Sequence, residues 1–185
     1  MALTPSTMLP LGTDIIDFTL PDPSGKTHSP KDFKDAKALL VIFICNHCPY
    51  VIHIADALAA FHTQYRKKGV EVIAINSNDY ANPKYALDGP SYMVEESKKR
   101  GYGFPYVIDE DQSVAKAYDA ACTPDLYLFD GDRKLVYRGE FDSSRPGKGE
   151  ADGSSLIGAV ESILQGKEVS GEQKPAMGCN IKWKS

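Results

Sequence analysis

The sequence predicts an α/β protein in which a mixed central β-sheet lies between two layers of helices. Two apolar segments, ALLVIFI at residues 38–44 and VEVIAI at residues 70–75, are typical of strands that are buried on both faces. The segment between them has the apolar spacing of a helix, so the three predict a β-α-β unit with a right-handed crossover. Residues 126–138 contain LYLF, a turn and LVYR, which predict a β-hairpin and therefore antiparallel strands.

The N-terminal part of the chain predicts a β-hairpin extension before the main sheet. Residues 14–20 (DIIDFTL) predict a short strand, residues 21–25 (PDPSG) a turn, and residues 26–28 the returning arm. The helix after the first buried strand is predicted to end near Gly69, because three basic residues and then a glycine suit a helix C-terminus. Its apolar face is formed by Val51, Ile54, Leu58, Phe61 and Tyr65.

The elements after this unit are shorter. Residues 76–90 are polar and rich in turn-forming residues, which predicts a surface loop. Residues 166–185 predict an irregular C-terminal tail, and we expect residues 1–185 to form a single domain. Helices are predicted at residues 92–100, 113–118 and 156–164, and a short strand at residues 106–108.

The composition is that of an ordinary globular protein. Of the 185 residues, 42% are hydrophobic and 25% charged, which argues against long disordered segments. The net charge of −4 and the lack of a basic stripe make nucleic acid an unsuitable partner. Because the sequence has no membrane-spanning apolar run and no signal-peptide pattern, we expect no membrane association and a cytoplasmic location. There the four cysteines are expected to be free, catalytic or metal-bound.

The segment FICNHCPYV, residues 43–51, holds two cysteines directly before the predicted helix. Proline is tolerated at the first helical position but costs about 3 kcal/mol deeper inside, so Pro49 predicts that Cys48 is the N-cap. There the sulfur faces unpaired backbone N–H groups, which lower a thiol pKa. Cys45 is then a less activated thiol or simply a buried strand residue. His47 either adds positive charge beside Cys48 or is a hydrogen-bonded surface group.

A second cysteine lies in Cys122-Thr123-Pro124, directly before the strand LYLF. About one X-Pro bond in twenty is cis in folded proteins, so a cis bond at Pro124 is one possibility. By composition alone the same residues predict an ordinary strand start.

These motifs resemble thioredoxin-like bacterial proteins of the AhpC/TSA (redoxin) superfamily. The segments CNHCPYV, CTPDLYLFD, LVYRGEFDSSRP and MGCNIKW carry the resemblance, which covers nearly the whole chain. It implies a thioredoxin-like three-layer sandwich, with a reactive cysteine at the start of the first long helix and a cis-proline facing it. In this sequence those roles fall on Cys48 and Pro124, with Thr123 as the residue before the cis-proline.

The sequence also departs from the patterns of the superfamily. Relative to the thioredoxin motif W-C-x-x-C, with its first cysteine at Cys48, the second cysteine position holds Val51, which argues against disulfide exchange. Relative to the peroxiredoxin motif T-x-x-C-P, the threonine position holds Cys45, which argues against efficient peroxide reduction. Peroxiredoxins also place an arginine beside the thiolate, for which Arg138 and Arg145 are the candidates.

The resulting hypothesis is a thiol-dependent oxidoreductase without a cofactor. Cys48 would attack a peroxide or a protein disulfide as the thiolate, and a second cysteine would then resolve it. Cys45 is near in sequence, Cys122 is expected to be near in the fold, and Cys179 is expected to reach the site on a mobile tail. A thiol reductant such as thioredoxin or glutathione is expected to restore the thiols. The sequence leaves the substrate and the oligomeric state open.

Two alternatives use the same residues differently. Cys45, His47 and Cys48, with Cys122 or Cys179, supply soft and imidazole ligands suited to zinc or copper(I). A scaffold that only binds a partner is the other alternative, since a fold by itself does not establish a function.

Overall fold

A five-stranded mixed sheet forms the centre of the computed structural model, which describes residues 3–184. The strands are β1 (Leu3–Pro5), β2 (Leu20–Pro21), β3 (Thr27–His28), β4 (Ala38–Phe43), β5 (Val70–Asn76), β6 (Tyr106–Ile108), β7 (Cys122–Thr123), β8 (Asp125–Phe129), β9 (Leu135–Arg138) and β10 (Met177–Asn180). The α-helices are α1 (Pro49–Tyr65), α2 (Pro90–Arg100), α3 (Ser113–Ala117) and α4 (Ser154–Leu164). Short 3-10 helices lie at Pro30–Phe33, Arg66–Lys68 and Pro83–Asp88.

The central sheet has the strand order β6-β5-β4-β8-β9. The central strand β4 pairs in parallel with β5, where Ala38 lies opposite Val70, and antiparallel with β8, where Leu39 lies opposite Phe129. The predicted β-α-β unit and the predicted C-terminal hairpin, β8 and β9, are therefore both confirmed. The carboxyl end of β4 leads directly into the segment that carries the two cysteines.

Alternate side chains of β4 divide between two apolar clusters, one on each face of the sheet. Leu40 and Ile42 pack in the cluster that includes residues of α1 and α4. Leu39 and Val41 pack in the opposite cluster, which includes residues of α3. Both faces of the sheet are thus covered, and the predicted three-layer α/β architecture is confirmed. Among residues 3–184, no helix combines the length and the apolar character needed to span a bilayer.

The N-terminal hairpin is present, but it is smaller than predicted. β2 and β3 form a two-stranded sheet of two residues each. The prediction of a strand over residues 14–20 is wrong, because only Leu20 belongs to β2 and Asp14 makes a single isolated bridge to Lys134. Phe18 is buried in the cluster on the α3 face, so the apolar residues here cover the sheet without joining it.

The prediction that residues 166–185 form an irregular tail is wrong for β10. This strand is the middle member of a second, three-stranded antiparallel sheet of order β1-β10-β7. Cys179 lies opposite Leu3 on one side and opposite Thr123 on the other. The expected mobile carrier of Cys179 is therefore a strand that is hydrogen-bonded on both edges, and Ser185 lies outside the described residues.

The prediction of a surface loop over residues 76–90 is also wrong in part. Asn76, Ser77, Asn78 and Asp88 are buried within it, and Pro83–Asp88 forms a 3-10 helix. The polar character of this segment reflects internal hydrogen bonds at the carboxyl end of β5 as well as exposure to water. The buried polar cluster lies beside the cysteine segment.

We expect Leu58→Ala to lower the free energy of unfolding by about 3 kcal/mol, because Leu58 is fully buried between α1 and the sheet. Ile52→Ala on the same helix is the matched control. Ile52 is 43% exposed, so its loss should cost about 0.5 kcal/mol or less. Urea unfolding followed by circular dichroism measures both values, and equal losses would contradict this assignment of the buried face.

Candidate functional site

The structure places Cys48 at the N-cap of α1 and Pro49 at the first helical position. The backbone of Cys48 is extended, with φ −73° and ψ 122°, and its carbonyl accepts the first helical hydrogen bond from Ile52 N at 2.9 Å. Proline carries no N–H, so at this position it removes none of the bonds of the helix. The sulfur of Cys48 consequently lies at the positive end of the helix dipole.

Cys48 lies at the centre of a group of buried thiols. Its Sγ lies 2.9 Å from Cys179 Sγ, and as a thiol it donates to the carbonyl oxygen of Thr123 at 3.1 Å. The hydrogen bond from the Cys45 thiol is the largest influence on its pKa, and bonds from Cys179 and the Val51 N–H act in the same direction. These bonds outweigh the opposing effect of burial and lower the pKa of Cys48 from 9.0 to about 5.

The neighbouring cysteines are shifted in the opposite direction. Burial raises the pKa of Cys179 to about 12, and its hydrogen bond to Cys48 adds to the shift. Burial likewise raises the pKa of Cys45 well above its usual value, with further increases from Cys48 and the carboxylate of Asp88. Burial also raises the pKa of Cys122. At neutral pH the negative charge of the group therefore resides on Cys48, while its neighbours keep their protons and Cys45 and Cys179 donate to it.

The Thr123–Pro124 peptide bond is cis. Cys45 Sγ lies 3.4 Å from Thr123 Oγ1, so the segment that follows β4 meets β7 beside Cys48. Cys122 points elsewhere, since its thiol donates to the carbonyl oxygen of Pro124 at 3.4 Å. Pro124 lines a shallow cleft together with Tyr50, His53, Arg145 and Met177.

The strand β10 covers the nucleophile. Cys48 is 0% exposed and Cys179 is 4% exposed, and Cys179 is paired with Thr123 in the antiparallel register. Gly178 makes this contact possible, because a Cβ at this position would lie 2.0 Å from the carbonyl oxygen of Thr123. Only glycine brings the backbone of β10 this close to β7.

The buried carboxylate of Asp88 anchors the segment between the two cysteines. It accepts hydrogen bonds from Asn46 N at 2.8 Å, from His47 Nδ1 at 2.6 Å and from Asn78 Nδ2 at 2.9 Å. His47 is thus held by a hydrogen bond to a fully buried partner and is not a simple surface group. Sequence reasoning missed Asp88. The polar run NSND at residues 76–79, directly after a buried strand, was a signal only for its partner Asn78, since the carboxyl edge of such a sheet is a common position for site residues. Asp88 lies outside that run, and no local pattern indicated it.

The ligand atoms of Cys45, His47 and Asp88 lie within 4.8 Å of one another and could surround a metal ion. The sequence-based set of Cys45, His47 and Cys48 differs from this group, which contains a carboxylate in place of the second thiolate. Nδ1 of His47 is already bonded to Asp88, and its buried Nε2 has no hydrogen-bond partner within residues 3–184. The metal alternative stays a prediction.

The two arginines considered for the site bond to other groups. Arg138 donates to the carbonyl oxygen of Leu9 at 2.8 Å and to Gln173 Oε1 at 2.8 Å. Arg145 forms an ion pair with Glu140 at 2.7 Å, and both residues line the same cleft as Pro124. The hydrogen bonds to Cys48 come from thiols and backbone groups instead.

Comparison with protein families agrees with this geometry, since the AhpC/TSA family model matches residues 11–138. The chain belongs to the AhpC/TSA family. A curated relative, the thiol-disulfide oxidoreductase ResA of Geobacillus kaustophilus, is 28% identical over 139 residues, which is 74% of each chain.

Two solved structures show how the fold is shared. A hypothetical protein from Sinorhizobium meliloti 1021 is similar over 98% of this chain and 99% of its own, with a TM-score of 0.95 and 49% identity. A putative thiol:disulfide interchange protein DsbE from Chlorobium tepidum is similar over 84% of this chain and 99% of its own, with a TM-score of 0.67 and 18% identity. The second likeness concerns the fold alone, and the predicted thioredoxin-like redoxin fold is confirmed.

We expect Cys45→Ala to raise the pKa of Cys48 from about 5 toward 9.0, because the substitution removes the largest stabilising hydrogen bond of the thiolate. Cys45→Ser is the matched control, since its hydroxyl still donates and should keep the pKa lower. Titration of ¹³Cβ-labelled cysteine by NMR reports each thiol without a need for solvent access. An unchanged Cys48 midpoint in Cys45→Ala would contradict this account.

We expect Asp88→Ala to lower the free energy of unfolding by about 3 kcal/mol, because it leaves buried donors of Asn46 and His47 without acceptors. Asp88→Asn should cost less, since the amide oxygen still accepts from the backbone. Urea unfolding compares the two variants. Equal losses would show that the size of the side chain matters here and its acceptors do not.

Proposed function

We propose that this protein is a thiol-disulfide oxidoreductase in which Cys48 is the nucleophile and Cys179 the resolving cysteine. The observation that carries the proposal is the 2.9 Å approach of the two sulfurs, one with a lowered and one with a raised pKa. A disulfide bond is about 2.05 Å long, so less than about 1 Å of further approach would join them. The relationship to the ResA protein supports a disulfide as the substrate.

The reaction follows from this division of charge. The Cys48 thiolate attacks one sulfur of a partner disulfide, the partner S–S bond breaks, and the other partner sulfur leaves as a thiolate. Cys179 then attacks Cys48 Sγ in the mixed disulfide, and its proton passes to the departing partner sulfur. The Cys48–Cys179 disulfide forms and the second partner sulfur leaves, so two electrons have passed from the protein to the partner.

Electrostatics favour Cys179 over Cys45 as the resolving thiol. Burial raises the pKa of both thiols, but the charge of Lys182 opposes this increase at Cys179, whereas the charge of Asp88 adds to it at Cys45. Cys122 is disfavoured because its thiol is directed to the carbonyl oxygen of Pro124. A thioredoxin-type or glutathione reductant and a cytoplasmic location stay predictions, as does any reaction with peroxide.

We expect oxidation of the reduced protein with a small disulfide such as cystamine to yield a Cys48–Cys179 disulfide, detected by tandem mass spectrometry. Cys179→Ser should stop at a stable mixed disulfide on Cys48. Cys122→Ser is the matched control and should form the same bond as the wild type. A dominant Cys45–Cys48 disulfide would contradict the assignment of Cys179, and oxidation that never involves Cys48 would overturn the proposed function.

A further inference from the structure

The strand β10 lies where it presents a cysteine to the nucleophile. It pairs antiparallel with β7, with Cys179 opposite Thr123 and Asn180 opposite Cys122, and Pro124 follows directly. This geometry delivers Cys179 Sγ to within 2.9 Å of Cys48 Sγ. The edge of β7 next to Cys48 is therefore shaped to receive an extended segment that carries a cysteine at this register.

The backbone of β7 also restricts which residue type can directly precede that cysteine. A Cβ on Gly178 would lie 2.0 Å from the oxygen and 2.6 Å from the carbon of the Thr123 carbonyl, and 3.1 Å from Pro124 N. All three atoms are backbone atoms, so they cannot move aside as a flexible side chain does. An extended segment in this register must therefore have glycine directly before its cysteine.

We propose that the partner disulfide reaches Cys48 on an extended polypeptide segment that replaces β10 on the edge of β7, and that its reactive cysteine is preceded by glycine. This inference rests on the proposed function and adds the substrate class to it. Cys48 is 0% exposed, so a macromolecular disulfide reaches it only when a covering element moves. A strand that takes the place of β10 on this edge restores the backbone hydrogen bonds that β7 loses.

Both ends of β10 are held close to the site. On one side Ser6 N donates to the carbonyl oxygen of Ala176 at 2.9 Å, and on the other Lys182 N donates to Asn78 Oδ1 at 2.8 Å. Movement of the residues between these anchors away from β7 breaks the pairs with β7, and it either carries β1 along or breaks the pairs with β1 as well. The return of β10 is then intramolecular and has a high effective concentration.

In a strand replacement, the step that forms the Cys48–Cys179 disulfide also releases the partner. While the partner segment lies on β7, Cys48 attacks its Gly-Cys sulfur, the partner disulfide breaks, and the leaving sulfur departs as a thiolate. When β10 pairs with β7 again, it displaces the partner strand and brings Cys179 to the mixed disulfide. Cys179 bonds to Cys48 Sγ, the S–S bond between Cys48 and the partner breaks, and the proton of Cys179 passes to the departing partner sulfur. The same movement thus completes the two-electron transfer.

The test compares two peptides against the full-length Cys179→Ser variant, which retains β10 but cannot resolve the adduct. One peptide has the sequence of residues 177–181, MGCNI, and the other is MACNI; each is supplied as its symmetrical disulfide. Intact-mass spectrometry follows the rate of adduct formation on Cys48. We expect the glycine peptide to react roughly tenfold faster or more, because the Cβ of the alanine peptide clashes with the backbone of β7 and opposes docking. Equal rates, or a faster alanine peptide, would overturn the proposal.

Two further measurements separate this inference from the proposed function. Cystamine has no polypeptide strand that could pair with β7. If cystamine forms an adduct with Cys48 but the two peptides react at equal rates, the strand replacement is contradicted and the proposed function is not. No adduct with cystamine or with either peptide would contradict the proposed function as well. Gly178→Ala in the Cys179→Ser background should speed the reaction with the glycine peptide. The added Cβ clashes with the Thr123 carbonyl and weakens the pairing of β10 with β7. A slower or unchanged rate in a variant with native circular dichroism would also overturn the proposal.

Discussion

The single negative charge on Cys48 is the feature on which the rest of the site depends. The helix start and the Val51 N–H supply fixed dipoles, and the thiols of Cys45 and Cys179 supply hydrogen bonds. Because neighbouring thiols cannot all ionise together, lowering the pKa of one cysteine raises that of the others. Chemically identical side chains thereby acquire different roles from position alone.

A thiolate in this position needs rigid support and, at the same time, access. Asp88 provides support, since its buried carboxylate holds the backbone and the imidazole of the segment between Cys45 and Cys48. Access is controlled by β10, which covers Cys48 and carries Cys179. The protection of the thiolate and the supply of the second thiol thus come from one strand.

The arrangement of cysteines in this chain differs from both of the motifs that it resembles. It lacks the second cysteine of W-C-x-x-C, where Val51 lies in the first turn of α1, and it lacks the threonine of T-x-x-C-P, where Cys45 lies. Cys45 nevertheless acts as a hydrogen-bond donor to Cys48, which is a function a hydroxyl also performs. Cys179, near the C-terminal end of the sequence, supplies the second thiol beside Cys48.

The sequence by itself determined the local features: the buried strands β4 and β5, the apolar face of α1, and Cys48 as N-cap through Pro49. Each depends on residues a few positions apart, so periodicity and proline geometry predict it. Only the tertiary structure decided the partners of Cys48. Cys179 is 131 residues away, and Asp88 reaches His47 across 41 residues. Neither position carries a periodic signal, because such contacts arise where distant segments meet at one edge of the sheet.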